Sequence, residues 1–159
     1  MKYTTSTIKA EMRKTIFAAH EHLAITINDE TLDVYIDEFY PEEEYLGLIP
    51  TILPVFADED EYKMVLDRIL PKEGKTTLAP VLMCPEDLDL SCTTIVAQAK
   101  TQGDYVIWEK LGLDISEGVS FPEGIGTKVK WLGQIKPIYF KKSEYMECLA
   151  EFRKLEANQ

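Results

Sequence analysis

The chain has 159 residues, of which 45% are hydrophobic and 28% are charged. A chain of this length forms one domain that can bury an adequate core without disulfides or metals, and its composition excludes intrinsic disorder. The formal net charge of −11 excludes nucleic acid and anionic membranes as favourable partners, because both are negatively charged.

The N-terminal part predicts a helix followed by a hairpin. Residues 6–21 carry apolar side chains that approximate one helical face, after a serine and a threonine that could cap the helix. Residues 23–27 are β-prone, and residues 28–30 favour a turn. Residues 32–36 alternate apolar and polar side chains, which favours a second strand; a helix over residues 30–40 is the alternative.

The middle of the chain predicts an irregular stretch and then a second helix. Three prolines make residues 41–57 irregular or an edge segment. A helix is predicted over residues 58–70, because its acidic first turn suits the positive end of the helix dipole and Pro71 ends it. The predicted buried stripe of this helix comprises Tyr62, Val65, Leu66, Ile69 and Leu70.

The C-terminal half predicts strands and a final helix. The helix covers residues 143–156, with Ser143 as its cap and Tyr145, Cys148, Leu149, Phe152 and Leu155 as its stripe. We expect Trp131, Phe140, Leu149 and Phe152 to share one core. The predicted strands are residues 78–84, 92–99, 105–110, 127–131 and 136–140, with a glycine-rich loop from Gly112 to Gly126 between the third and the fourth.

The short connections between these strands favour an antiparallel meander. The predicted architecture is therefore α+β: a single domain over residues 1–159 with a mainly antiparallel sheet of about five or more strands. Helices are expected in the N-terminal, middle and C-terminal parts.

The negative charge is concentrated in residues 29–61, which we call the acidic segment. It holds 12 of the 28 acidic residues and no lysine or arginine, which leaves 16 acidic and 17 basic residues elsewhere. One interpretation is a solvated face that aids solubility. The other is a docking surface for a basic protein, with Tyr35, Phe39, Tyr40 and Tyr45 as aromatic contacts.

The cysteine pattern and the absence of targeting signals predict a cytoplasmic protein. The longest apolar run, residues 46–57, is broken by two prolines, and residues 1–6 lack a signal-peptide stretch. Cys84, Cys92 and Cys148 are odd in number and match no zinc spacing. We expect reduced thiols, with Cys148 in the core; a disulfide between Cys84 and Cys92 is the minor alternative.

The most distinctive stretch, Cys84 to Cys92, places three carboxylates between two thiols. Its spacing is not that of a calcium-binding loop, so the simplest interpretation is a strand connection whose acidic side chains cap backbone amides. A partner contact, a metal site and redox chemistry are the alternatives. The carboxylates are Glu86, Asp87 and Asp89.

Other candidate motifs are incomplete. His20 and His22 could share a face in an extended segment, but no third zinc ligand is identifiable. The Gly124-Ile125-Gly126 stretch lacks a phosphate-loop signature, and Ser91 or Cys92 would lack a local base as a nucleophile. We therefore expect no catalytic residue, no metal site and no cofactor.

Four stretches carry a resemblance to a family: residues 84–93, 106–112 and 131–133, together with a Tyr145-x-x-Cys148-Leu149-x-x-Phe152 pattern. Over roughly residues 78–155 the chain resembles a family of small bacterial proteins of uncharacterised function. Some members resemble immunity proteins of polymorphic toxin systems. The resemblance implies a binding role and no catalytic residue.

Together these patterns predict a non-enzymatic cytoplasmic protein that neutralises a basic toxin by covering its active-site cleft. The first alternative is a small-molecule-binding or enzymatic domain, with a pocket lined by the 84–92 loop and Trp108. The second is a structural or oligomerising domain. Genomic neighbourhood would separate these interpretations. The predicted partner-binding residues are Asp37, Glu38, Tyr40, Glu42, Glu43, Glu44, Tyr45, Glu86, Asp87 and Asp89.

Overall fold

The computed structural model describes residues 3–14, 20–55, 58–86, 90–117 and 122–158. These residues contain two antiparallel sheets, three α-helices and a short 3₁₀ helix, Leu155–Asn158. This confirms the predicted α+β architecture. The elements are β1 (Ile8–Arg13), β2 (His22–Ile27), β3 (Glu30–Thr31), α1 (Leu32–Phe39), β4 (Ile49–Pro50), α2 (Glu59–Ile69), β5 (Thr76–Met83), β6 (Thr94–Gln102), β7 (Tyr105–Asp114), β8 (Val129–Trp131), β9 (Ile138–Lys141) and α3 (Lys142–Lys154).

The smaller sheet, in the order β1-β2-β3, corrects the first prediction. The expected helix over residues 6–21 is wrong, because β1 occupies part of it and pairs with β2 from Ile8 opposite Ile27 to Arg13 opposite His22. Apolar and charged side chains alternate over residues 8–13, and this period of two fits a strand. Residues 15–19, which carried much of the helical pattern, lie outside the described residues.

The N-terminal helix is α1, as in the alternative interpretation of residues 30–40. Asn28 and Asp29 take positive φ angles of 50° and 70°, which make the tight turn between β2 and β3. The chain then becomes helical because Leu32 and Ile36, one helical turn apart, both enter the core. The alternation over residues 32–36 was therefore a misleading signal.

The larger sheet runs in the order β4-β5-β6-β7-β8, and β9 pairs with the other end of β7. The strands lie close to their predicted positions, but the last one departs from the predicted meander because β9 pairs with β7, two strands back in the chain. A second difference lies at Gly112. That residue lies within β7, opposite Trp131, and does not begin a loop. The glycine is required because a Cβ atom here would lie 2.5 Å from Val129 Cγ1 and 2.8 Å from the Lys130 carbonyl oxygen.

The middle helix, α2, and the C-terminal helix, α3, lie close to their predicted positions. In α2 the Asp58 side chain caps the helix by accepting the Asp60 and Glu61 amides at 2.8 and 3.2 Å. In α3 the predicted cap Ser143 is wrong, because the helix follows β9 directly and the extended Lys141 occupies the cap position. The buried residues of α3 are Tyr145, Cys148 and Phe152, as its stripe predicted.

The Tyr145 hydroxyl joins three elements inside the core. It donates a hydrogen bond to the Ile69 carbonyl of α2 at 2.5 Å and accepts one from Trp108 Nε1 of β7 at 3.3 Å. The Trp108 and Phe140 rings pack edge to face, with centroids 5.0 Å apart. Of the four predicted core residues, Phe140 and Phe152 are fully buried, while Trp131 and Leu149 are half-buried against the same core.

The close packing at Gly112 gives a stability prediction. Gly112→Ala should lower the free energy of unfolding by about 1–3 kcal/mol, because the backbone of β8 blocks the added methyl group. Gly133→Ala is the control: its added Cβ meets nothing within 4 Å, so the change should stay within about 0.5 kcal/mol. Urea unfolding of both variants measures this, and equal stabilities would contradict the register of β7 and β8.

Candidate functional site

The carboxylates of the acidic segment fall into two groups in the structure. Asp33 and Glu61 are buried, with 2% and 4% of their surface exposed, and Asp37 is half-buried. The exposed residues are Asp29, Glu30, Glu38, Glu42, Glu43, Glu44, Asp58, Glu59 and Asp60. Most of the segment is therefore available to a partner, while two of its carboxylates belong to the interior.

Asp33 fixes the connection between α1 and β4. Its Oδ2 atom accepts a hydrogen bond from the Gly47 amide at 2.8 Å. Gly47 has a φ angle of +93°, which an L side chain rarely adopts. This contact holds the end of the stretch on which residues 42–44 are exposed.

Glu61 makes an equivalent contact in α2. Its Oε1 atom accepts a hydrogen bond from the Leu90 amide at 3.1 Å. The Leu90 carbonyl in turn accepts one from Thr94 Oγ1 at 3.2 Å, at the start of β6. The acidic first turn of α2 and the 84–92 loop are therefore neighbours. The sequence did not predict this contact, because the two segments are far apart along the chain.

The aromatic residues of the acidic segment differ in exposure. Tyr45 is 3% exposed, so its ring is a core residue and the predicted partner contact at this position is corrected. Tyr40 is half-buried, and its hydroxyl accepts a hydrogen bond from the Gln134 amide at 2.9 Å. Tyr35 and Phe39 are half-buried on α1, with ring centroids 5.6 Å apart.

Glu30 and Glu38 bring two carboxyl groups together at the surface. A hydrogen bond between their side chains raises the pKa of Glu30, and desolvation and the charge of Glu38 add to the shift. Two carboxyl groups, one from β3 and one from the last turn of α1, are thus crowded together. A cationic group that approached them would relieve this repulsion.

The 84–92 loop is described only in part. Glu86 is exposed, while Asp87 and Asp89 lie outside the described residues. The Cys84 amide donates to the Thr93 carbonyl at 3.2 Å, which places Cys84 opposite Thr93 and not opposite Cys92. No disulfide is present within the described part of the chain.

Cys148 is buried in α3, as expected, and burial raises the pKa of its thiol to about 12. In the described ranges, no group of three or more His, Cys, Asp or Glu side chains could hold a metal ion. The two histidines differ in exposure: His20 is exposed, whereas His22 is half-buried in β2.

Trp108 does not line a pocket at the 84–92 loop, because it is 1% exposed and bonded to Tyr145. An open groove of about 620 Å³ lies elsewhere, at the start of α3, where Tyr3, Tyr105, Lys141 and Lys142 contribute to its walls.

Over the described ranges, no helix has the length and apolar character needed to cross a membrane.

Comparison of the chain with protein-family models, curated proteins and solved structures yields no match. The resemblance to immunity proteins therefore stays a prediction from sequence.

The buried contact of Glu61 predicts a loss of stability on truncation. Glu61→Ala should cost about 1–3 kcal/mol, because the Leu90 amide loses its acceptor in a buried position. Glu61→Gln keeps an acceptor oxygen and should cost less. Glu44→Ala removes an equal charge from the surface and should change stability by under about 0.5 kcal/mol. Equal thermal stabilities of Glu61→Ala and Glu44→Ala would contradict the structural role of Glu61.

The Glu30 and Glu38 pair predicts a pH effect. Since its folded-state pKa is raised, Glu30 favours folding most at low pH, and this contribution is lost as the pH rises through that pKa. Glu38→Gln should lower the pKa of Glu30, because an amide replaces the second acid. Carboxyl ¹³C NMR titration measures the pKa of Glu30, and Glu147→Gln is the distant control. An unchanged Glu30 pKa would show that the carboxyl groups do not interact.

Proposed function

We propose that this protein is a non-enzymatic cytoplasmic binding protein that docks on a basic protein, as an immunity protein docks on a toxin. The observation that carries the proposal is the exposure of nine carboxylates in a segment with no lysine or arginine. Such a surface attracts a basic partner over long distances and repels acidic proteins and nucleic acid.

The proposed mechanism separates encounter from retention. The exposed carboxylates of residues 42–44 and of the first turn of α2 speed association with a positively charged cleft. Tyr35 and Phe39 lie beside Glu38 on α1 and supply half-buried ring surface for close contact, which controls the dissociation rate. Occlusion of the partner's cleft would suffice to neutralise it, without chemistry on either protein.

Residues 42–44 are the proposed centre of this surface. They are consecutive, exposed carboxylates on the connection that Asp33 and Tyr40 hold at its two ends. Glu38 lies close by at the end of α1, and its contact with Glu30 extends the negative surface towards the β2–β3 turn.

Charge reversal tests this surface. A partner is first recovered from the native cell at low salt, and its binding kinetics are then measured. The triple variant Glu42→Lys, Glu43→Lys and Glu44→Lys should slow association about tenfold or more, because encounter depends on the charge at the rim. The dissociation rate should change less. The fold should survive, since exposed substitutions each alter stability by under about 0.5 kcal/mol.

The matched control reverses three exposed carboxylates outside the acidic segment, Glu117, Glu147 and Glu151, which changes the net charge equally. If association slows equally in both triple variants, total charge matters and the acidic segment is not the docking surface. An association rate that responds neither to salt nor to reversal of residues 42–44 would defeat the proposal outright.

A further inference from the structure

The connection between α1 and β4, residues 40–48, is tied down at both ends although its middle is exposed. We call it the acidic turn. Its exposed residues 42–44 lie between the half-buried Tyr40 and the buried Tyr45. Backbone bonds inside the turn run from the Glu43 amide to the Tyr40 carbonyl at 3.1 Å and from the Leu48 amide to the Tyr45 carbonyl at 3.4 Å.

One end of the acidic turn is held by a buried carboxylate. Asp33 is 2% exposed, and its Oδ2 atom accepts the Gly47 amide at 2.8 Å. A charge-assisted bond of this kind is stronger than a bond between neutral groups. The other end is held by the Tyr40 hydroxyl, which accepts the Gln134 amide of the β8–β9 connection at 2.9 Å.

The second carboxylate oxygen of Asp33 is buried, and its burial lowers the stability of the fold. Among the described residues, Oδ1 has no hydrogen-bond partner. The side chain lines a small cavity with His22 and Thr31, whose volume of about 10 Å³ is near the minimum that one water molecule requires. A buried carboxylate with one protein donor is much less favourable than a small apolar residue at the same place. Hydrophobic packing alone would not favour a carboxylate there.

We propose that Asp33 is a positioning residue that holds the acidic turn in a preformed shape for a basic partner. The inference rests on the proposed function, since it assigns a role to the same surface. Carboxylates on a fixed backbone lose less conformational freedom on binding than carboxylates on a mobile loop. Positioning by Asp33 therefore acts on residence time, whereas the charges of residues 42–44 act on encounter.

Two substitutions separate the hydrogen bond from the charge. Asp33→Ala removes the acceptor of the Gly47 amide. Asp33→Asn removes the charge but retains an oxygen that can accept this amide, and its NH₂ group can donate at the place of the unpartnered oxygen. Glu147→Ala is the charge-matched control, because Glu147 is exposed on α3 outside the acidic segment.

Amide hydrogen exchange, measured on the full chain, is the first readout. In Asp33→Ala the Gly47 and Leu48 amides should exchange about tenfold faster, as expected for the loss of one buried hydrogen bond. The Val96 and Ala97 amides of β6 should keep their rates, and Asp33→Asn should protect the turn nearly as well as the parent. Unchanged exchange of the turn, equal acceleration in β6, or failure of Asp33→Asn to protect it would overturn the positioning role.

Binding of an oligolysine peptide at low salt is the second readout. We expect faster dissociation from Asp33→Ala than from the parent or from Glu147→Ala, with association rates that match. If the turn opens in Asp33→Ala while dissociation is unchanged, the turn is structural only and the inference fails, although the docking surface stands. If the parent does not bind oligolysine, the proposed function itself fails, and the exchange data show separately whether Asp33 orders the turn.

Discussion

Two buried carboxylates, Asp33 and Glu61, determine how the rest of the acidic segment is displayed. Each accepts a backbone amide from another part of the chain, Gly47 at 2.8 Å and Leu90 at 3.1 Å. A buried acid is stable only when such donors accompany it, so both contacts restrict where the neighbouring chain can run. The exposed carboxylates lie outside these contacts: in and beside the β2–β3 turn, near the end of α1, on the acidic turn and at the start of α2.

Helix α2 connects the hydrophobic core with the exposed carboxylates at its own first turn. The Tyr145 hydroxyl holds the last residue of α2 through the Ile69 carbonyl, and the Asp58 cap and Glu61 hold its first turn. The helix is thereby fixed at both ends, against the sheet on one side and the 84–92 loop on the other. The position of the acidic first turn of α2 thus depends on packing among buried aromatic residues far from it in the sequence.

The sequence predicted the parts of the fold in which pattern and packing agree. The strands of the larger sheet, α2 and α3 have clear periods, and their positions were nearly correct. The first strand was missed because residues 8–13 fit both periods, and only pairing with β2 decides between them. No sequence pattern distinguishes Asp33 or Glu61 from the exposed acids, because their donors at Gly47 and Leu90 come from other parts of the chain.

The most direct test of this account is zero-length carbodiimide cross-linking to a partner recovered from the native cell, since the reagent joins carboxylates to lysines in contact. The account predicts salt-sensitive cross-links from the exposed acids of residues 38–44 and 58–60, and none from the buried Asp33 or Glu61. Cross-links concentrated instead at Glu117, Glu147 or Glu151, or a pattern indifferent to salt, would contradict it.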